Sequence, residues 1–130
     1  MSLIPKKGTV YVVDDDEAVR DSLQWLLEGK DYRVRCYDSA ESFISRYDPR
    51  EVACLIADIR MGGMSGLELH KRLLAQGQKY PVIFMSGECQ PHETTAVQAS
   101  EPVAFLWKPF NTQQLLQAIE KAQQQLVSTI

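Results

Sequence analysis

The chain has no apolar run long enough to cross a bilayer, no excess of basic residues, no paired cysteines and no internal repeat. Each absence removes a class of function. A transmembrane helix needs about 20 consecutive apolar residues, and residues 1–7 lack the apolar stretch and small-residue exit of a secretory signal. A soluble, cytoplasmic protein with no membrane contact is expected. With 24% charged residues and a net charge of −3, the chain is expected to make no direct nucleic-acid contact through bulk electrostatics. The three cysteines, Cys36, Cys54 and Cys89, are odd in number and contain no C-x-x-C pair. They are read as reduced thiols: Cys36 and Cys54 in the core, Cys89 as an inert surface residue of a polar loop. A length of 130 residues with 45% apolar composition suits one domain with a core that needs no covalent staple.

Four apolar runs each end at a polar residue able to bind metal or phosphate. Residues 10–13 stop at Asp14-Asp15-Asp16, residues 54–57 at Asp58, residues 82–85 at Ser86 and residues 103–107 at Lys108. As neighbouring parallel strands, these runs would present their carboxyl ends on one sheet edge, where open α/β folds place ligands. A fifth strand is expected over 32–37, with arginines alternating outward. Helical spacing links Val19, Leu23, Leu26 and Leu27; then Phe43 and Ile44 after the N-cap Ser39; then Leu67, Leu69, Leu73 and Leu74; and finally Leu115, Leu116, Ile119, Ala122 and Leu126, capped by Asn111 or Thr112. Residues 87–100 carry the weakest pattern, a short or mobile fourth helix. Gln123-Gln124-Gln125 looks like the start of a polar linker. Strands alternating with helices predict an open, doubly wound parallel sheet with helices on both faces.

Two or three carboxylates with no histidine or cysteine beside them form a hard-oxygen site, suited to Mg²⁺, with Mn²⁺ as the alternative, rather than to zinc. Mg²⁺ is commonly shared between carboxylates and a phosphoryl group. A carboxylate next to such an ion can itself attack phosphorus, a role open to Asp58. Lys108 would neutralise one phosphoryl oxygen and Ser86 would hydrogen-bond another. Without phosphate, Lys108 would pair with Asp58 or Asp14 and soften the repulsion between carboxylates.

These motifs resemble the receiver (response-regulator) domain of two-component signalling across almost the whole chain, from Val10 to about Gln125. Val12-Val13-Asp14-Asp15 resembles the family's acidic pair. Leu55-Ile56-Ala57-Asp58-Ile59-Arg60-Met61 resembles its phosphoacceptor loop, and Met64-Ser65-Gly66-Leu67-Glu68-Leu69 the entry to its third helix. Met85-Ser86-Gly87 matches the switch hydroxyl, and Phe105-Leu106-Trp107-Lys108-Pro109-Phe110 the lysine–proline strand end. The resemblance implies a flavodoxin-like (βα)5 fold with strand order 2-1-3-4-5, core residues about 8–125, and an output domain lying outside this chain. It makes Asp58 the phosphoacceptor, Lys108 and Ser86 its catalytic partners, and Ser86 and Phe105 the switch pair. Mg²⁺ would be held by Asp15 directly, Asp14 mostly through water, Asp58, and the backbone carbonyl of Arg60. Asp16 matches no metal position and is assigned to the N-terminus of the first helix. The Lys108–Pro109 bond is expected to be cis.

The implied function is a switch phosphorylated by a sensor histidine kinase, with no enzymatic activity beyond its own phosphorylation and dephosphorylation. The pattern over 55–69 resembles the subgroup whose receivers precede a helix-turn-helix, DNA-binding output domain. A phosphorylation-dependent homodimer through the fourth helix, fifth strand and fifth helix is implied, with Trp107 near that face. An aspartyl-phosphate phosphatase would need an acid two residues beyond the nucleophile, where Arg60 stands, and a flavodoxin-like cofactor module would need a phosphate cradle that the first loop lacks. Two departures from the family pattern stand out. Met61-Gly62-Gly63 replaces the usual proline after the methionine, which predicts a looser loop. Glu101 stands where glycine is usual and adopts a left-handed turn less cheaply.

Overall fold

The computed structural model describes residues 8–87, 95, 97–99 and 101–128. Five strands, β1 (Thr9–Val13), β2 (Arg33–Tyr37), β3 (Val52–Asp58), β4 (Val82–Ser86) and β5 (Ala104–Trp107), form one parallel sheet in the order β2-β1-β3-β4-β5. The helices are α1 (Glu17–Glu28), α2 (Ala40–Arg46), α3 (Gly66–Ala75) and a C-terminal helix, Thr112–Ser128. Thr95 and residues 97–99 are also helical; the rest of the expected fourth helix, and Cys89, lie outside the described residues.

Period-two alternation divides the core. Val10, Val12, Cys54, Ile56, Ile83 and Met85 point toward Leu23 and Leu27 of α1 and Leu115 and Ile119 of the C-terminal helix. Tyr11, Val13, Leu55, Ala57 and Phe84 point the other way, toward Phe43 of α2 and Leu69 and Leu73 of α3. Covered on both faces, β1, β3 and β4 are buried throughout, as central strands of a parallel sheet must be. At the β2 edge, Arg33 and Arg35 are exposed as their alternation predicts.

Helix starts follow local chemistry. The Asp16 side chain accepts from the Ala18 and Val19 amides, so the third aspartate caps α1, as its assignment from sequence required. Ser39 caps α2, and a reciprocal Ser65–Glu68 capping box opens α3. Asn111, rather than Thr112, caps the C-terminal helix by accepting from the Gln114 amide at 2.7 Å.

Two expectations are corrected, and a third position takes the costlier conformation foreseen for it. Leu74 is 43% exposed, and His70 joins Leu67, Leu69 and Leu73 among the buried residues of α3. Gln123-Gln124-Gln125 is helical and not a linker; the Tyr32 hydroxyl donates to Gln123 Oε1 at 3.4 Å. Glu101 adopts the left-handed turn despite its side chain, with φ +52°, and its amide donates to the Gln98 carbonyl as the preceding helical segment ends.

Candidate functional site

Register brings the strand-end residues together. Val13 pairs with Ala57, so one step further Asp14 and Asp58 leave adjacent strands side by side. Ser86 pairs with Trp107, which places Lys108 just beyond the same edge; the Lys108 amide donates to the Ser86 carbonyl at 2.8 Å. The Lys108–Pro109 peptide is cis, as the resemblance implied.

The Lys108 ammonium lies 2.8 Å from Asp14 Oδ2 and 3.0 Å from Asp58 Oδ2. Both carboxylates are buried. Each is also held by an amide two residues on: Asp16 N–H donates to Asp14 Oδ1 at 2.9 Å, and Arg60 N–H to Asp58 Oδ1 at 3.1 Å. Arg60 thus enters the site through its backbone. Asp15 is exposed, yet oxygens of Asp14, Asp15 and Asp58 lie within 4.8 Å of one another. Three carboxylates are therefore grouped together, and the Lys108 ammonium contacts two of them.

Electrostatics reflects that imbalance. Burial pushes the Asp58 carboxyl above the ordinary carboxylate range, and nearby Asp14 adds to the shift against the opposing pull of Lys108 and the Arg60 amide. Burial works against the Lys108 charge, but hydrogen bonds to Asp14 and Asp58 outweigh it and raise its pKa. The donor set, all carboxylate oxygen, fits a hard divalent ion such as Mg²⁺ and offers nothing to a thiophilic one.

Close backbone approach explains Gly66. A Cβ there would fall 2.4 Å from the Asp58 carbonyl oxygen, an overlap that forces the start of α3 and the strand end carrying the candidate nucleophile apart.

Of the remaining sequence candidates, Ser86 is buried at the end of β4, and Phe105 is half-buried with its ring edge-on to Trp107 at 4.9 Å. Trp107 is 55% exposed. Sequence reasoning missed Trp25, at 80% the most exposed large apolar side chain among the described residues. It borders a groove of about 620 Å³ between α1 and the segment after β5, lined also by Leu26, Lys108, Pro109 and Phe110. Its position outside the i, i+3, i+4 stripe of α1 was the available signal. Among the described residues no helix is long and apolar enough to cross a membrane.

Residues 10–120 match the family model for the response regulator receiver domain. The transcriptional regulatory protein FixJ of Bradyrhizobium diazoefficiens is 37% identical over 116 residues, covering 89% of this chain and 57% of that protein. The response regulator protein TmoT of Ectopseudomonas mendocina is 37% identical over 90% of this chain and 53% of its own length. The chain thus spans little more than half of these curated relatives. Among solved structures, the response regulator StyR superposes with a TM-score of 0.86 at 37% identity, covering 93% of this chain and 61% of that one. FixJ-N gives 0.80 at 33% identity, covering 90% and 94%. The strand order, the shared strand-end pocket and these matches converge on one assignment: the chain belongs to the response regulator receiver domain family of two-component signalling.

Proposed function

We propose that Asp58 accepts a phosphoryl group from a sensor histidine kinase in a Mg²⁺-dependent reaction. The observation that carries this reading is the buried Asp58 carboxylate, joined to Asp14 through a single ammonium at the carboxyl edge of the sheet. In the transfer, an Asp58 oxygen forms a bond to phosphorus while the bond from phosphorus to the kinase imidazole nitrogen breaks. The electron pair leaves with that nitrogen, which is then protonated from solvent. Lys108 keeps Asp58 ionised before transfer and afterwards neutralises a phosphoryl oxygen. Asp14, Asp15 and Asp58 would hold Mg²⁺, or Mn²⁺ in its place, with the Arg60 carbonyl as a further donor; the ion supplies charge neutralisation for the incoming phosphoryl oxygens.

Ser86 and Phe105 are the switch pair in this reading: the Ser86 hydroxyl binds the new phosphoryl group, and Phe105, on the neighbouring strand, follows it. Trp107, beside Phe105 and largely exposed, would anchor a phosphorylation-dependent homodimer built on the fourth helix, β5 and the C-terminal helix. The relatives' name, transcriptional regulatory protein, supports a DNA-binding output domain as the element controlled. The chain has no turnover beyond its own phosphorylation and dephosphorylation.

Incubation with a small phosphodonor and Mg²⁺, followed by intact-mass measurement, tests the proposal. Wild type gains one phosphoryl mass and Asp58→Asn gains none. No gain in wild type, or an equal gain in the variant, refutes it.

A further inference from the structure

The loop after Met61 is gripped by two carboxylates from other elements. Gly62 N–H donates to Asp15 Oδ2 at 3.4 Å. Two residues on, Met64 N–H donates at 3.1 Å to Oε2 of Glu41, in the first turn of α2. Between them Gly63 takes φ +87°, and a Cβ there would fall 3.0 Å from that same Glu41 oxygen. The two glycines that suggested a loose loop are therefore both used: Gly63 for its backbone conformation, Gly62 for its N–H. Asp15 is exposed, and its carboxylate has no other hydrogen-bond partner among the described residues.

We infer that the Gly62 amide is a positioning group for Asp15: it takes one carboxylate oxygen and leaves the other for a divalent ion. The inference rests on the reading of Asp14, Asp15 and Asp58 as the metal group. An exposed aspartate otherwise samples several rotamers, and binding an ion must freeze it. An amide on one oxygen removes part of that cost in advance, as outer-shell partners of metal ligands generally do. Proline at position 62 has no N–H to give, so in this chain glycine supplies a contact that the family's usual residue cannot. Glu41 and Gly63 hold the loop so that the Gly62 amide faces Asp15.

Two effects of Gly62→Pro have opposite signs, which makes the test decisive. If the amide positions Asp15, the variant binds the ion more weakly. Loss of an outer-shell partner commonly costs 10- to 100-fold in affinity, and a long, exposed hydrogen bond belongs below that range, at about five- to tenfold. If loop freedom is what limits the site, proline stiffens the loop and binding tightens. Gly62→Ala keeps the N–H, and its Cβ would meet nothing within 4 Å, so it should bind within about twofold of wild type.

The experiment titrates each protein with Mn²⁺ alone, following the free-ion electron paramagnetic resonance signal, with Mg²⁺ as competitor and circular dichroism to establish folding. Gly62→Pro is expected to weaken binding about five- to tenfold in wild type and to add less than twofold in an Asp15→Ala background, since the partner is then gone. In the metal-free protein, Asp15→Ala should speed exchange of the Gly62 amide proton. Binding by Gly62→Pro equal to or tighter than wild type, or an equal loss in both backgrounds, overturns the inference and leaves the metal reading standing. Failure of wild type to bind Mn²⁺ saturably overturns both.

Discussion

Two polar clusters flank β1, and they differ in charge balance. Toward its carboxyl end, Asp14 and Asp58 share Lys108, and Asp15 lies beside them with no cation of its own among the described residues. On the α2 side of the sheet, Tyr11 donates to Glu51, Glu51 pairs with Arg35, and Asp48 pairs with Arg50. In the second cluster every carboxylate has its own cation. The Tyr11 hydrogen bond, helped by Arg35, holds the Glu51 carboxyl below its usual range, and the Arg50 hydrogen bonds do the same for Asp48. Burial pushes the Tyr11 hydroxyl up to about 12, so it stays a donor. At the carboxyl end the sign reverses and Asp58 is raised. One cluster is complete as folded. The other carries more negative charge than Lys108 neutralises, an excess that the proposed divalent ion would offset before an anionic phosphoryl group arrives.

The largest effect should come from removing the one cation of the unbalanced cluster. Lys108→Ala leaves two buried carboxylates facing each other. It is expected to cost about 2–3 kcal/mol in denaturant unfolding, less than a fully buried broken pair because the ammonium keeps some contact with water. Phosphoryl uptake should slow about 100-fold, the scale for losing one charge-stabilising donor. Added Mg²⁺ should stabilise this variant more than it stabilises wild type, because the ion takes over part of the neutralisation. Equal stabilisation of the two proteins would show that the carboxylates do not depend on Lys108.

Titration sharpens the contrast at smaller scale. By carbon NMR without metal, Asp58 should titrate above 3.8 and Glu51 below 4.5, the ordinary values for the two residue types. Asp14→Asn should lower the Asp58 midpoint and Lys108→Ala should raise it. The signs for stability follow. The folded chain holds the Asp58 proton more tightly than the unfolded chain does, so this group's contribution falls as pH rises from 3.8 through the folded midpoint. Glu51 behaves oppositely: its contribution is complete above 4.5 and is lost as pH falls through its folded midpoint. Finding both midpoints displaced in the same direction would erase the distinction between the clusters. The smallest change is expected from Arg35→Ala, an exposed pair partner: a slight loss of stability, weakened further by salt and indifferent to Mg²⁺.

How much of this was legible in the sequence depended on the range of the signal. Strand ends were legible because an apolar run that stops at Asp14, Asp58, Ser86 or Lys108 is a local pattern, and parallel topology does the rest. Caps at Asp16, Ser39 and Asn111 were legible for the same reason. Side-chain type misled where a helix face decides. His70 turns inward, edge-on to Phe84 at 5.7 Å, while Leu74 turns out, and Trp25 stands exposed on α1. Glutamines 123–125 read as linker because a helix's solvent face and a polar tether have the same composition; only burial of Leu115, Ile119 and Ala122 distinguishes them. Gly62 and Gly63 read as looseness because the partners that use them, Asp15 and Glu41, are distant in sequence. Pairings across the fold carry no local signature.

The central proposal is that Asp58, and no other carboxylate of the cluster, accepts the phosphoryl group. Reduction of the phosphodonor-treated protein with borohydride converts an aspartyl phosphate to homoserine, which peptide mass mapping then locates. Homoserine at position 58 alone is the predicted result; homoserine at Asp14 or Asp15, or its absence from position 58 in a protein that has gained phosphoryl mass, would contradict it.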